Sequence, residues 1–479
     1  MDHILQTVRR SSTTSATEPA LGCHDPDHDT QYTPRSPQEQ SASHSVSAPL
    51  EVSLEYYDLP AADKGQDAWI FCISACAFEV FIWGWNNTYG IFQEYYSTHP
   101  PFDQASIGSL STIGTASLGI QYIGLLFFVL VFQRYPEYAK PAMWVTWALS
   151  VGVLVLSSFS NKVWQMITLQ GVLFGISAGI LYSPVMIWLP EWFVEKRGLA
   201  AGLIFGGSGA GGFIFPLVMG ALLDKVGFRW TLRIWSIVFG ICCAAAILGL
   251  KPRVPIRKPT LDIPRPPLFP KDLYFLKSPV LLGVVGITLI QALAFFPVSV
   301  FISTYTSSIT TATFPSRMVL ALFNAASAVF FIIFGRLCDL YPFPYVIMAS
   351  GLGCAIAVFV LWGFASSLPW IFVFSAVFGG LGGAFPGIWP AAATEVGGTR
   401  DHITSIVFGC FAVVQGVTSI IGPIIAALFH DAAKNHEKTK YGSYGYRKVE
   451  IFIGSMGVAT FVGGVVLLFY STAKRKVKN

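Results

Sequence analysis

The sequence predicts an all-α membrane protein: twelve transmembrane helices in two pseudo-symmetric six-helix bundles. Three observations predict it. Of the 479 residues, 53% are hydrophobic and only 12% are charged, whereas a soluble domain carries about 25% charged residues; the mean hydropathy is +0.58. The apolar residues gather into twelve runs, each near the roughly 20 residues that a helix needs to cross a ~30 Å hydrocarbon layer. The two halves of the chain also repeat each other.

Residues 1–64 are rich in Ser, Thr, Pro, His and Asp and show no apolar period, so a disordered cytoplasmic tail is expected. No signal peptide opens the chain, which leaves the first helix as the expected insertion signal. The runs 67–92, 105–131, 142–160, 163–189, 198–223 and 231–250 make an N-terminal bundle over 65–250. The segment KPRVPIRKPTLDIPRPPLFPKDLYFLK, 251–277, is Pro-rich and basic; it cannot continue a helix and is expected as a cytoplasmic central loop. The runs 278–306, 316–336, 343–365, 369–394, 402–429 and 449–472 make a C-terminal bundle over 278–472, followed by the basic tail AKRKVKN, 473–479. With a cytoplasmic N-terminus, 21 of the 31 Lys and Arg residues fall on the inside, as the positive-inside rule requires. The segments around Lys225 and from Lys434 to Lys448 run against that bias. A monomeric multi-pass protein of the plasma membrane, both termini cytoplasmic, is therefore expected.

The repeat is specific. FGISAGILYSPVMIWLPE ends at Glu191 and FGGLGGAFPGIWPAAATE ends at Glu395. Gly175, Gly179 and Glu191 match Gly379, Gly383 and Glu395 at an offset of 204. Arg197 and Phe205-Gly206 match Arg400 and Phe408-Gly409 at an offset of 203. A duplicated six-helix unit is the sequence signature of carriers that rock two bundles about a midplane site.

Other chemistries find little support. Seven of the eight cysteines sit in apolar runs with no disulfide or zinc spacing. The eight histidines fall in tails, loops or helix ends. No nucleophile elbow, HExxH, Walker or dinucleotide motif is present, so neither an enzyme nor a cofactor or metal is expected. Lys and Arg cluster at the ends of spans, which gives no nucleic-acid surface.

One residue breaks the apolar pattern. In CAFEVFIWGWNNTYG, Glu79 lies at the middle of the first run, and no other Asp, Glu, Lys or Arg lies deep in any run. An acid there costs about 2.5–3.5 kcal/mol on insertion scales. With no deep cation as partner it favours its neutral form, losing the proton when water enters, as a proton-coupling carboxylate must. On a regular helix Glu79, Trp83, Asn86 and Gly90 share a face, flanked by Asn87. The competing readings are a neutral Glu79 hydrogen-bonded to a neighbouring helix, or direct contact with a cationic substrate.

Several stretches resemble the major facilitator superfamily, and more narrowly the fungal relatives of the monocarboxylate carriers: DAWIFCISACAFEVFIWGWNNTYGIFQEYY, EWFVEKRGLAAGLIFGGSGAGGFIFP, GFRWTLRIW and NAASAVFFIIFGRLCDLYP. The resemblance implies alternating access with helices 1, 4, 7 and 10 lining a cavity, to which Tyr182, Gln291, Phe295, Tyr305 and Trp389 would contribute. Carboxylate-carrying members have a lysine late in helix 1 and an arginine in helix 8; the matching positions here are Asn87 and, aligned through Asn324 and Gly335, Phe331. The gating acid after helix 2 is replaced by Gln133, while Gly335, Arg336 and Asp339 survive after helix 8. Asp339, Arg336, Glu191, Arg197, Glu395 and Arg400 are expected to hold the bundles together at the cytoplasmic face, or else to be ordinary helix-end charge. Among deep polar residues, Asn324 and Gln415 are candidate ligand contacts as well as helix glue. The chain is thus expected to be a secondary transporter of a small organic molecule, exporting a hydrophobic or aromatic metabolite with protons as coupling ion. Uptake of a monocarboxylate is the alternative, and a transport-deficient sensor a minor one.

Overall fold

Twelve membrane-length helices account for almost all the structure in the computed structural model, which describes residues 59–256, 265–270, 273–310, 313–398, 400–434 and 437–478. Most of the 1–64 tail and part of the 251–277 connection lie outside the described residues. The N-terminal bundle comprises α1 (Gln66–Thr98), α2 (Ile107–Arg134), α3 (Ala139–Ser157), α4 (Val163–Trp192), α5 (197–226) and α6 (228–249). The C-terminal bundle comprises α7 (Pro279–Ile309), α8 (Thr313–Leu340), α9 (Phe343–Trp362), α10 (Leu368–Gly397), α11 (Asp401–Phe429) and α12 (Arg447–Lys478). The last helix runs on through the segment expected as a basic tail.

The expected pair 5 and 6 is continuous in backbone hydrogen bonding except at Gly227, whose φ of 71° and ψ of 171° break it. Only glycine adopts that φ without strain, and the chain folds back there. Both far ends of the pair return to one face: the Arg197 Nε donates to the Phe193 carbonyl at 2.9 Å, and the Trp192 Nε1 to that of Lys251 at 2.8 Å. We call this face, where α1 begins, basal, and the opposite one distal. Outward-pointing Val145, Ile241 and Leu428 suit a helix bundle solvated by lipid rather than water.

The repeated glycines do the same work in both halves. A Cβ on Gly175 of α4 would lie 3.0 Å from the Ser117 carbonyl oxygen of α2, and one on Gly379 of α10 would lie 2.9 Å from the Phe323 Cα of α8. Small residues therefore let α4 approach α2, and α10 approach α8, backbone to backbone. Two further seams join the bundles: α5 on α8, through Gly202, Gly206 and Gly209, and α2 on α11, through Gly409 and Gly416.

Three helices carry wide π turns, at Glu79–Trp83 in α1, Ile167–Leu173 in α4 and Ala357–Trp362 in α9. In α10, Pro386 tightens the chain into a 3₁₀ turn at Phe385–Ile388. Such irregular turns re-aim side chains, and the turn in α1 sits where the acid is.

Candidate functional site

A central cavity lies between the bundles, a usual place for a small-molecule site in a helical bundle. Of the residues singled out from sequence, Glu79, Trp83, Asn87, Tyr182, Phe295, Asn324, Phe331, Trp389 and Gln415 line it. Glu79 is buried and accepts a hydrogen bond from the Tyr182 hydroxyl of α4. The Trp83 ring lies 4.4 Å from that of Tyr122 and 5.6 Å from that of Tyr182, which boxes the acid in aromatic surface. Among the described residues, Glu79 is the one charged side chain in the lining.

The helical face read from sequence needs correcting. The π turn at Glu79–Trp83 adds about one residue to a turn of α1. Asn87 rather than Asn86 therefore follows Glu79 and Trp83 onto the cavity wall. Asn86 turns to α2, where its Oδ1 accepts from the Ser117 hydroxyl at 3.1 Å and its Nδ2 donates to the Ile82 carbonyl at 3.3 Å. Two other candidates also lie off the cavity. The Gln291 Nε2 donates to the Gly382 carbonyl at 2.7 Å, tying α7 to α10. The Tyr305 hydroxyl donates to the Ala365 carbonyl at 2.9 Å, within a distal aromatic cluster that includes Trp362 and Tyr446. In the same cluster Glu450, in the first turn of α12, is fully buried, and its carboxylate has no hydrogen-bond partner among the described residues; its burial was not legible from its place near a helix end.

Sequence reasoning missed Tyr122, Met186, Phe205, Phe296 and Phe408, all of which line the cavity. For two of them a signal existed. Phe205 and Phe408 are the matched residues of the internal repeat, and their rings meet 5.8 Å apart across the bundle interface. With Phe331, 6.0 Å from Phe205, and Trp389, 5.4 Å from Phe408, they floor the cavity on its basal side.

Below that floor, polar bonds cross between bundles. The Arg197 Nη1 donates to the Thr394 hydroxyl at 2.8 Å, and its Nη2 reaches an Asp401 carboxylate oxygen at 3.4 Å. The carboxylate of Asp339 accepts the Gly198 and Leu199 backbone N–H groups at 2.7 and 2.8 Å. An acid from one bundle thus caps the positive end of α5 in the other. The Gln133 Nε2 donates to the His402 carbonyl at 2.9 Å, so the residue standing in place of an acid still bridges α2 to α11. Glu191 does not cross: its carboxylate accepts the Arg253 and Val254 backbone N–H groups at 3.1 and 3.3 Å, anchoring the chain that leaves α6. Arg336, Glu395 and Arg400 are exposed. An unforeseen residue, Asp63, accepts the Val194, Glu195 and Lys196 backbone N–H groups at 2.9–3.1 Å. On the distal side, Arg317 of α8 meets Asp224 of α5 at 3.5 Å.

The chain is similar to several known proteins. The chain is 27% identical over 419 residues to the aspyridones efflux protein of Emericella nidulans, covering 85% of this chain and 78% of that protein. It is 25% identical over 461 residues to the fujikurins efflux protein of Gibberella fujikuroi, covering 92% and 91% respectively. It is 27% identical to an Aspergillus flavus MFS transporter over 84% of this chain and 87% of that one. The crystal structure of the human organic anion transporter MFSD10 superposes with a TM-score of 0.64 at 11% identity, over 84% of this chain and all of that one, which is a likeness of fold. The family model of the Major Facilitator Superfamily matches residues 74–316, and with that match, the repeated bundles and the enclosed cavity, the chain belongs to the Major Facilitator Superfamily.

Proposed function

We propose that this protein is a proton-coupled exporter of a small hydrophobic or aromatic metabolite. The observation that carries the reading is Glu79: a buried carboxylate on a π turn, held by the Tyr182 hydroxyl, in a cavity whose described lining has no Lys, Arg or His. A carboxylate without a counter-cation is tolerable in a low-dielectric site when it is protonated. It releases that proton when the cavity floods, and the two events link substrate movement to the proton gradient. Aromatic walls suit an apolar body, and relatives named as efflux proteins support the outward direction.

Within the superfamily we place the chain beside the monocarboxylate carriers, on the sequence stretches that resemble them. It departs from their anion chemistry, since Asn87 and Phe331 stand where cations would pair a carboxylate. The basal face is cytoplasmic, the membrane is the plasma membrane, and the working unit is a monomer. Arg197 and Asp339 act as the cytoplasmic latch between bundles.

Glu79→Gln tests the reading in proteoliposomes carrying a proton gradient. Gradient-driven flux is expected to fall at least tenfold, while insertion and substrate binding persist. Flux with unchanged pH dependence would leave Glu79 a packing residue.

A further inference from the structure

The distal aromatic cluster holds an acid that the central cavity does not use. Glu450, in the first turn of α12, is completely buried, and both its carboxylate oxygens lack a hydrogen-bond partner among the described residues. Beside it folds the connection from α11 to α12, here called the cap, residues 430–446, described except at 435 and 436. The cap is pinned by backbone bonds. The Asp431 N–H donates to the Gly445 carbonyl at 3.1 Å, that of Tyr444 to Glu437 at 2.9 Å, and that of Gly442 to Gly363, just beyond α9, at 2.9 Å. Its rings grip the distal end of α7: Tyr305 packs 5.1 Å from Tyr446 and 5.7 Å from Tyr444, and Phe301 packs 6.1 Å from Tyr446.

No cation pairs with this acid. On α12 itself Arg447 and Lys448 are exposed, as are Lys434, Lys438 and Lys440 of the cap, where Asp431 meets Lys434 at 3.9 Å. Helices α7 and α9, which pack on α12, contain no Asp, Glu, Lys, Arg or His, and neither does the distal half of α11. The titratable groups around Glu450 are the phenols of Tyr305, Tyr441, Tyr444 and Tyr446 and the imidazole of His430, whose ring lies 4.3 Å from that of Tyr446. A carboxylate sealed from water without a counter-charge is costly, whereas the neutral acid is not.

We infer that Glu450 is a proton-binding site that fastens the cap to the distal end of α7 while protonated and releases it on ionising. The ionised form needs water, and water reaches it only when the cap lifts. The seated cap therefore binds one more proton than the lifted cap. By linkage, lifting becomes more favourable as the pH rises, by up to about tenfold per pH unit. This goes beyond the transport reading and does not rest on it, since Glu79 lies in the other bundle.

Hydrogen exchange of the full-length protein in nanodiscs, at pH 6 and pH 8 without a gradient, tests the inference once rates are corrected for intrinsic exchange. Exchange of the backbone amides reports local opening. In the segment 437–450 the opening constant is expected to rise about 10- to 100-fold between the two pH values. The turn around Gly227, on the same face of the other bundle, should show no such rise. Glu450→Gln, which copies the neutral acid, should abolish the pH dependence and keep the cap seated at pH 8. Glu450→Met serves as a second variant should the first fail to fold, with the same loss of pH dependence expected. A flat response in the unmodified protein overturns the inference, as does an unchanged response in either variant or an equal response around Gly227. A response of opposite sign also overturns it, because opening on acidification would place the control at His430.

Discussion

Gly209→Ala should pry α5 from α8, and with them the two bundles, at the level of the cavity. At Gly209 an added Cβ would lie 2.6 Å from the Asn324 carbonyl oxygen, 2.7 Å from the Ala328 backbone nitrogen and 2.9 Å from the Ala328 Cβ. Unstrained carbon contacts sit at about 3.5–4.0 Å. The obstructing atoms are backbone or Cβ, so no rotamer change relieves them, and α5 and α8 must separate by about 1 Å. Overpacking of this kind costs about 1–3 kcal/mol. The cost falls only on the state in which the seam is closed, so the ratio of open to closed molecules should rise about 5- to 150-fold. Gly206→Ala is the internal control: its Cβ would meet one carbonyl oxygen, that of Ala328, at 3.1 Å, and a few tenths of an ångström relieve it. Spin labels at positions 194 and 395, both exposed on the basal side, report the separation in a cysteine-free background by pulsed dipolar spectroscopy. The expected result is a second, longer distance in Gly209→Ala and little change in Gly206→Ala. A folded Gly209→Ala protein with the unmodified distance distribution would refute the reasoning, because the seam would then not be where the bundles part.

Two further outcomes follow from the same geometry. Asp339→Asn keeps an oxygen for one backbone N–H of α5 but loses the charge that faces the helix end. Closure should weaken by about 1–2 kcal/mol, read as a rise in the long-distance population of the same label pair; an unaltered distribution would remove Asp339 from the latch. Asn86→Ala and Asn87→Ala should separate cleanly. The first loses the bonds to Ser117 and Ile82 and should lower thermal stability by about 0.6–1.5 kcal/mol with substrate affinity intact. The second loses the 3.3 Å bond from its Nδ2 to the Ser208 carbonyl of α5, so stability should fall somewhat as well, but substrate affinity should weaken only in this variant; weakened affinity in Asn86→Ala alone would show that the register of α1 is misplaced.

The sequence made the architecture legible because lipid imposes a simple rule. Each span must satisfy its backbone internally and be apolar over its length, so composition alone delimits most helices. The repeat of Gly175 and Gly379 was legible for a related reason: close helix approach tolerates few residue types. The site was legible where a single residue violated the lipid rule, as Glu79 does. It became illegible where backbone irregularity changed the phase. Nothing in EVFIW announces a π turn, so a regular 3.6-residue period put Asn86 on the face of Glu79 and left Asn87 at its flank. Gln291 and Tyr305 failed for another reason. A buried amide or phenol that donates to a neighbouring carbonyl looks, in sequence, the same as one that meets a ligand. Asp63 was invisible because its partners are backbone amides 131 to 133 residues away, and backbone leaves no trace in side-chain patterns.

The entry to α5 has divided ownership. Two aspartates share its five amides: Asp63, from the same bundle, holds Val194, Glu195 and Lys196, and Asp339, from the other bundle, holds Gly198 and Leu199. In the latch proposed above, parting of the halves would release only the second grip, leaving two N–H groups instead of five for water to take over. The turn that aims Arg197 would then stay in place, and the guanidinium would meet Thr394 and Asp401 again already oriented. A carrier with such a latch would reset it on every turnover without refolding the strip of chain on which it is mounted.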